Sequence, residues 1–201
     1  MQDFWFYTQL GLNHVLDFNA YDHILFLIAL AVPFTFKSWK NVVLLATVFT
    51  IAHCFSLALS SYGVLDVHVV WVEFLIPVTI AMTAVLNLLF IKAGANDANS
   101  KSAGKNIGLH MLATLFFGLI HGLGFSNYFK ILMADEADKL SPLLGFALGI
   151  EISQVIVVIS VMVVSFVISY LTSLRHSLFA ILVSILIILA TIPMLIATFP
   201  L

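Results

Sequence analysis

Residues 11–26 read GLNHVLDFNAYDHILF, and in this run four side chains able to hold a cation come just before a long apolar stretch. The four are His14, Asp17, Asp22 and His23. A charged side chain is costly where hydrocarbon begins, so such groups face water, one another or a bound cation. The run therefore predicts a polar site at the mouth of a membrane helix.

The composition is that of an integral membrane protein. The chain has 201 residues, of which 62% are hydrophobic and 9% charged, whereas soluble domains carry about 25% charged residues. A net charge of -2 gives no field that favours nucleic acid. The lone cysteine, Cys54, excludes an intrachain disulfide. The first residues lack a basic segment and a small-residue cleavage site, so we expect no signal peptide.

Apolar runs of about 20 residues predict membrane-crossing helices. The expected fold is an all-α polytopic bundle that forms a single transmembrane domain over residues 1–201. It has about six transmembrane helices and an N-terminal interfacial or re-entrant helix. The predicted spans cover about 20–36, 40–62, 68–91, 106–128, 141–171 and 177–198. A polar, small-residue linker over about 93–105 is predicted to be mobile.

The distribution of basic residues predicts the orientation of these spans. Two lysines, Lys130 and Lys139, fall in loops on one side. Six basic residues fall on the other side: Lys37, Lys40, Lys92, Lys101, Lys105 and Arg175. This bias predicts a multi-pass plasma-membrane protein whose termini both lie outside the cytoplasm.

Five of the spans carry an imidazole or a carboxylate at a similar depth, given a helix rise of about 1.5 Å per residue. Gly118 and Gly122 remove side-chain bulk beside one of them, which favours close helix packing. The polar residues are predicted to converge in the outer half of the membrane. They are Asp22, His23, His53, Glu73, His121 and Glu151.

Each of these residues has a simpler explanation when taken alone. Asp22 fits a helix cap, and an isolated buried histidine is more often a satisfied core residue. Such a structural explanation fits Glu73 and Glu151 less well, because a buried glutamate requires a partner. A proton relay, or a histidine–carboxylate network without metal, remains open. Imidazoles with carboxylates fit nickel, cobalt or zinc, and Cys54 points away from His53 round the helix.

Together these segments resemble the HupE/UreJ membrane proteins, which are associated with hydrogenase and urease accessory genes. The resemblance covers most of the chain, and it implies a helical permease proposed for nickel or cobalt uptake. It also implies that Asp22, His23 and His121 contact the metal. The segments that carry it are DHILF at 22–26, FTIAHCFSLAL at 49–59, VEFLI at 72–76, FGLIHGLGF at 117–125 and FALGIEISQ at 146–154.

The leading hypothesis is a permease for a divalent transition metal, with nickel or cobalt as its substrate. Asp17, Asp22 and Glu73 would attract the ion, and His23, His53, His121 and Glu151 would replace part of its hydration shell. The rival hypothesis is an intramembrane zinc hydrolase acting on a lipid or peptide, with Glu73 or Glu151 as base. A metal sensor or assembly partner is a third. The expected partners are the lipid bilayer and the ion, with a homo-oligomer or a metallochaperone possible.

Overall fold

The computed structural model describes residues 2–18, 20–65, 67–92, 103–134, 136, 138–172 and 174–200. This part of the chain forms seven α-helices and a short 3₁₀ turn, Phe36–Ser38, which confirms the all-α prediction. Most of the linker predicted to be mobile, residues 93–102, lies outside the described residues. The helices are α1 (Gln2–Leu16), α2 (Asp22–Ala31), α3 (Trp39–Ser61), α4 (Val69–Lys92), α5 (Ala103–Leu132), α6 (Leu140–Thr172) and α7 (His176–Ala197).

Five of these helices, α3 to α7, are long and apolar enough to cross a membrane. A helix of 20 residues is about 30 Å long, which matches the hydrocarbon core of a bilayer. The chain is therefore a multi-pass membrane protein, as its composition predicts. We call the end of the bundle where α3, α5 and α7 finish, and where α4 and α6 begin, the upper end.

The chain enters the bundle through α1, which runs beside α6 in the same direction. The Phe4 carbonyl lies against Gly145, and the Thr8 carbonyl lies against Gly149, one turn further along both helices. A Cβ at Gly145 would come within 2.5 Å of the Phe4 oxygen, so the two backbones touch. α1 thus starts at the upper end and descends into the bundle, where the sequence predicts an interfacial or re-entrant helix.

The second helix, α2, continues downward in the same direction. It has 10 residues, so it is only about 15 Å long and does not cross a bilayer alone. Its first turn places His23 beside His53 in the middle of α3, and its last turn places Ala29 beside Asn87 near the lower end of α4. The helices α1 and α2 therefore form one broken crossing, joined by residues 17–21.

The predicted first span, 20–36, is thus corrected to Asp22–Ala31. The physical reason is Pro33, which has no backbone N–H and cannot donate to the carbonyl of Ala29 four residues earlier. The side-chain amide of Asn87 donates to that carbonyl instead, at 2.7 Å. A polar residue of α4 therefore satisfies the helix end that the proline creates.

The end of α3 follows the sequence prediction. Gly63 adopts a φ of 74°, a left-handed conformation that glycine tolerates best. Its N–H donates to Ser60, and the N–H of Val64 donates to Leu59, each over 2.9 Å. This pair of hydrogen bonds is the Schellman arrangement, which satisfies the last carbonyls of the helix.

Two glycines set the spacing of α3 and α5 and hence the position of the polar centre. A Cβ at Gly118 would lie 2.7 Å from the Phe49 carbonyl oxygen. A Cβ at Gly122 would overlap the His53 carbonyl and the Ser56 hydroxyl. Any larger residue would push the two helices apart, so glycine here brings His53 and His121 to the same place.

Candidate metal centre

Four histidines from four helices form one cluster below the upper end of the bundle. The ring of His23 lies 4.5 Å from that of His14, 5.8 Å from that of His53 and 5.4 Å from that of His121, measured between centroids. Three of the four are almost fully buried, with exposed fractions of 4% for His23, 0% for His53 and 1% for His121. The cluster lies where α1 ends and α2 begins.

Asp22 fixes the orientation of His23. Nδ1 of His23 lies 3.2 Å from Oδ1 of Asp22, so the imidazole N–H donates to the carboxylate. The other ring nitrogen, Nε2, is buried and has no hydrogen-bond partner among the described residues. A carboxylate behind the imidazole holds the tautomer whose Nε2 lone pair is available to a metal.

Thr79 has the corresponding role for His121. The Thr79 hydroxyl donates its single hydrogen to the Ile76 carbonyl over 2.7 Å. With its hydrogen on that carbonyl, the Thr79 oxygen favours the tautomer in which it accepts from Nε2–H of His121, 3.0 Å away. The lone pair of His121 is left on Nδ1, which is buried without a partner in the described part of the chain.

The two remaining histidines also present buried ring nitrogens. Nε2 of His14 and both ring nitrogens of His53 lack a partner within the described ranges. Unpaired buried polar atoms are costly and rare in folded proteins, so five in one cluster point to a bound species. The chemistry of the donors, four imidazoles and one carboxylate, fits a divalent transition metal.

The spacing of the donor atoms also suits a metal. One donor from each of His14, His23 and His53 lies within 4.8 Å of the other two, and the same holds for Asp22, His23 and His121. Two donors about 2.1 Å from one ion lie at most about 4.2 Å apart. Small side-chain rotations would therefore let the three donors of either group bind one ion. His23 belongs to both groups.

Phenylalanine rings close the cluster from above and below. On the lower side, Phe26, Phe49 and Phe117 each lie about one turn below a histidine on the same helix. Phe26 stacks on Phe49 with centroids 4.7 Å apart, and each is within 5.4 Å of the His121 ring. On the upper side, Phe125 stacks on Phe146 at 5.2 Å and lies 4.1 Å from the His14 ring. The histidines therefore sit between two aromatic layers.

A groove of about 490 Å³ opens to one side of the cluster. Its walls come from the start of α2, the first half of α4 and the end of α7, all at the upper part of the bundle. Asp22 and Glu73 are its two acidic lining residues. Because Asp22 also contacts His23, the groove connects the surface to the edge of the histidine cluster.

Five of the eight sequence-predicted ligands, His14, Asp22, His23, His53 and His121, fall in these donor groups. The structure places the other three elsewhere. Asp17 is exposed in the link between α1 and α2, and Glu73 is exposed on the groove wall. Glu151 accepts hydrogen bonds from two threonines of α3 instead of meeting the histidines.

Sequence reasoning missed Thr79 and the aromatic layers. A signal for Thr79 was present, because Thr79, Thr83 and Asn87 repeat every four residues on a largely apolar helix and so share one face. All three are buried. The phenylalanines gave no comparable signal, since the chain contains 18 of them and most membrane-protein phenylalanines pack or face lipid.

The fold and the cluster define a multi-pass helical membrane protein with a buried histidine–carboxylate centre. A family model described as HupE / UreJ protein matches residues 1–198. The chain therefore belongs to the HupE/UreJ family, as its sequence segments suggest. No curated protein and no solved structure matches it. Family and fold together fit a membrane metal transporter in general.

Proposed function

We propose that this protein carries a divalent transition-metal cation, nickel or cobalt, across the membrane by way of the histidine centre. The observation that carries the proposal is the convergence of four imidazoles from four helices, each with a buried ring nitrogen that no described residue satisfies. Such nitrogens are ligands for borderline metals, and they would replace part of the ion's hydration shell. Zinc fits the same donors, and membership of this family favours nickel or cobalt.

The acidic groove supplies the entry route in this proposal. Glu73 lies about one turn below the start of α4, and Asp22 lies deeper beside His23. Two carboxylates in a largely apolar groove would attract a divalent cation and focus it toward the centre. Glu73 thus acts in attraction rather than as a ligand, which is one of the roles that the sequence suggests for it.

Release would occur at the lower end, where Phe26, Phe49 and Phe117 close the route. An ion cannot pass stacked phenylalanines without their displacement, so transport requires the lower aromatic layer to open while the upper one holds. The broken crossing of α1 and α2 is a natural place for that movement, because a break between two helices absorbs dihedral changes more easily than a continuous helix.

We further propose that the upper end faces the outside of a bacterial inner membrane. The basic residues Lys37, Lys40, Lys92 and Arg175 lie at the lower end, in agreement with an excess of positive charge on the cytoplasmic side. A negative-inside potential would then draw the ion inward, by about 4.6 kcal/mol per 100 mV for a divalent cation. Capture by a metallochaperone inside the cell would add to this drive.

The test is metal influx into liposomes that contain the purified protein and a metal-sensitive dye. We expect nickel or cobalt influx with the unaltered protein and its loss with His121→Ala. The matched control is His68→Ala, the same change at an exposed position before α4, which should keep the influx. A lack of influx with the unaltered protein, or equal influx with His121→Ala, would refute the proposal.

The hydrolase hypothesis gains less support from the geometry. A general base must lie within hydrogen-bond reach of the water that it activates. Glu73 and Glu151, the two bases that the sequence offers, both lie outside the donor groups, and the threonines of α3 engage Glu151. No feature of the described residues favours hydrolysis over passage of the ion.

A further inference from the structure

A second polar site lies between α3 and α6, on the lower side of the histidine centre. The two carboxylate oxygens of Glu151 accept hydrogen bonds from the hydroxyls of Thr47 and Thr50, each over 2.6 Å. Thr50 and Thr47 lie about 4.5 and 9 Å below His53 along α3, at a rise of about 1.5 Å per residue. The site is therefore within the membrane-crossing part of the bundle and separate from the histidines.

Each threonine hydroxyl has a second acceptor within reach. The Thr47 hydroxyl lies 3.1 Å from the Val43 carbonyl, and the Thr50 hydroxyl lies 3.2 Å from the Ala46 carbonyl. A hydroxyl has only one hydrogen, which it can turn to the carboxylate or to its own helix. When both hydrogens turn to the helix, the hydroxyl lone pairs face the carboxylate side and join it as cation ligands.

An ionised Glu151 would have no charged counterpart among the described residues. No described basic side chain forms an ion pair with it, although its helix crosses the membrane. One turn further along α6, Gln154 is 0% exposed, and neither polar atom of its amide has a partner among the described residues. Residues three apart are neighbours on a helix surface, so the unpaired amide of Gln154 lies on the same side of α6 as the Glu151 carboxylate.

We propose that Glu151, Thr47, Thr50 and Gln154 form a second cation site, which takes a sodium-like monovalent ion. Carboxylate, hydroxyl and amide oxygens are the ligands that hard cations prefer, in contrast to the imidazoles of the other site. A monovalent ion balances the single negative charge, whereas a divalent ion would leave one positive charge inside the membrane. The site goes beyond the proposed transport of nickel or cobalt and does not depend on it.

The test is equilibrium binding of radioactive sodium to the full-length protein in detergent, at constant ionic strength and without any transition metal. We expect saturable binding by the unaltered protein. Glu151→Gln should weaken it by more than about tenfold, because it removes the only charged ligand. The Thr47→Val, Thr50→Val double variant keeps the carboxylate and the side-chain shapes, and it should weaken binding as well.

A second measurement separates this site from the histidine centre. Cobalt(II) absorption bands report imidazole ligation, and they should persist in Glu151→Gln, which also shows that the variant is folded. His121→Ala should lose the cobalt bands and retain sodium binding. The inference is overturned if the unaltered protein binds no sodium, if Glu151→Gln binds it as tightly, or if folded, monodisperse Glu151→Gln loses cobalt ligation.

Discussion

At the scale of single residues, two polar side chains decide which ring nitrogen of two histidines keeps a free lone pair. The Thr79 hydroxyl donates its hydrogen to the Ile76 carbonyl, so its oxygen favours the His121 tautomer with a proton on Nε2 and a lone pair on Nδ1. Asp22 accepts from His23 and leaves the lone pair on Nε2. In the proposed metal centre, both partners would act on the ion through a histidine, as hydrogen-bonding groups behind metal ligands commonly do.

The first prediction concerns Thr79→Val, which keeps the shape of the side chain and removes the acceptor for His121. The ring is then free to rotate and to change tautomer, so we expect cobalt or nickel affinity to fall by about 10- to 100-fold. Equilibrium metal binding to the purified protein measures the change. The control is Thr83→Val, the same substitution one turn lower on the same face.

Thr83 donates to the Thr79 carbonyl and forms no hydrogen bond with a histidine among the described residues, so its variant should bind metal almost normally. Equal affinity for the Thr79 variant and the unaltered protein would mean that the Thr79 hydroxyl does not orient a ligand. Equal losses in both variants would indicate a general packing defect of α4.

At the scale of helices, the centre depends on how closely α3 and α5 approach. His53 and His121 belong to these two helices, and Gly118 and Gly122 allow their backbones to touch. The apolar runs of the sequence give α3 closely, since 40–62 is predicted and Trp39–Ser61 is found. They underestimate α5, for which 106–128 is predicted and Ala103–Leu132 is found. The contact between them was only suggested by the glycine spacing.

The second prediction concerns Gly122→Ala. The added methyl would overlap the His53 carbonyl, and overpacking of this kind costs about 1–3 kcal/mol. For a chain of this size we expect Tm to fall by roughly 2–4 °C per kcal/mol. Metal affinity should fall as well, because separation of the two helices moves His53 away from His121.

Gly108→Ala is the matched control on the same helix. A Cβ at Gly108 meets nothing within 4 Å, so the change should leave Tm unchanged or raise it slightly through the better helix propensity of alanine. Thermal unfolding in detergent, together with cobalt absorption, measures both variants. If Gly122→Ala behaved like Gly108→Ala, the close approach of α3 and α5 would not be needed for the centre.

At the scale of the whole molecule, the bundle joins an acidic groove, a histidine centre and a lower aromatic closure in one direction. The groove is formed by α2, α4 and α7, which are far apart in sequence and meet only in the fold. Its acidic residue Glu73 lies outside the donor groups. Its contribution should therefore appear in the rate of ion entry rather than in the affinity of the centre.

The third prediction follows from that position. Glu73→Gln should slow metal influx into liposomes several-fold at low ionic strength, and the difference should shrink at high salt because the attraction is screened. Equilibrium metal affinity should stay within about twofold of the unaltered value, since no ligand is lost. Influx measured at two salt concentrations, together with metal titration, checks both parts.

The control removes one negative charge away from the groove. Asp138→Asn keeps the side-chain oxygen that accepts from the Leu140 N–H at the start of α6, so it should neither unfold the helix nor slow the influx. A loss of metal affinity in Glu73→Gln would show that Glu73 is a ligand after all. If the difference in influx between Glu73→Gln and the unaltered protein were the same at both salt concentrations, Glu73 would have no role in attracting the ion.

By itself the sequence determined the membrane class, the existence of five long helices and the bounds of four of them, including the end of α3 before Gly63. Apolar length and a glycine in the left-handed conformation are local properties, which is why they could be predicted. It also identified the histidines as candidate site residues, since burying an unpaired imidazole in hydrocarbon costs free energy whichever helices are its neighbours. Tertiary structure decided the rest. Pro33 and Asn87 end the predicted first span early, so that it forms part of a broken crossing. Helix packing places Glu151 against Thr47 and Thr50. It places Glu73 on the groove wall. The physical reason is that depth along a helix follows from residue number, whereas the neighbour that a side chain meets depends on how all the helices pack.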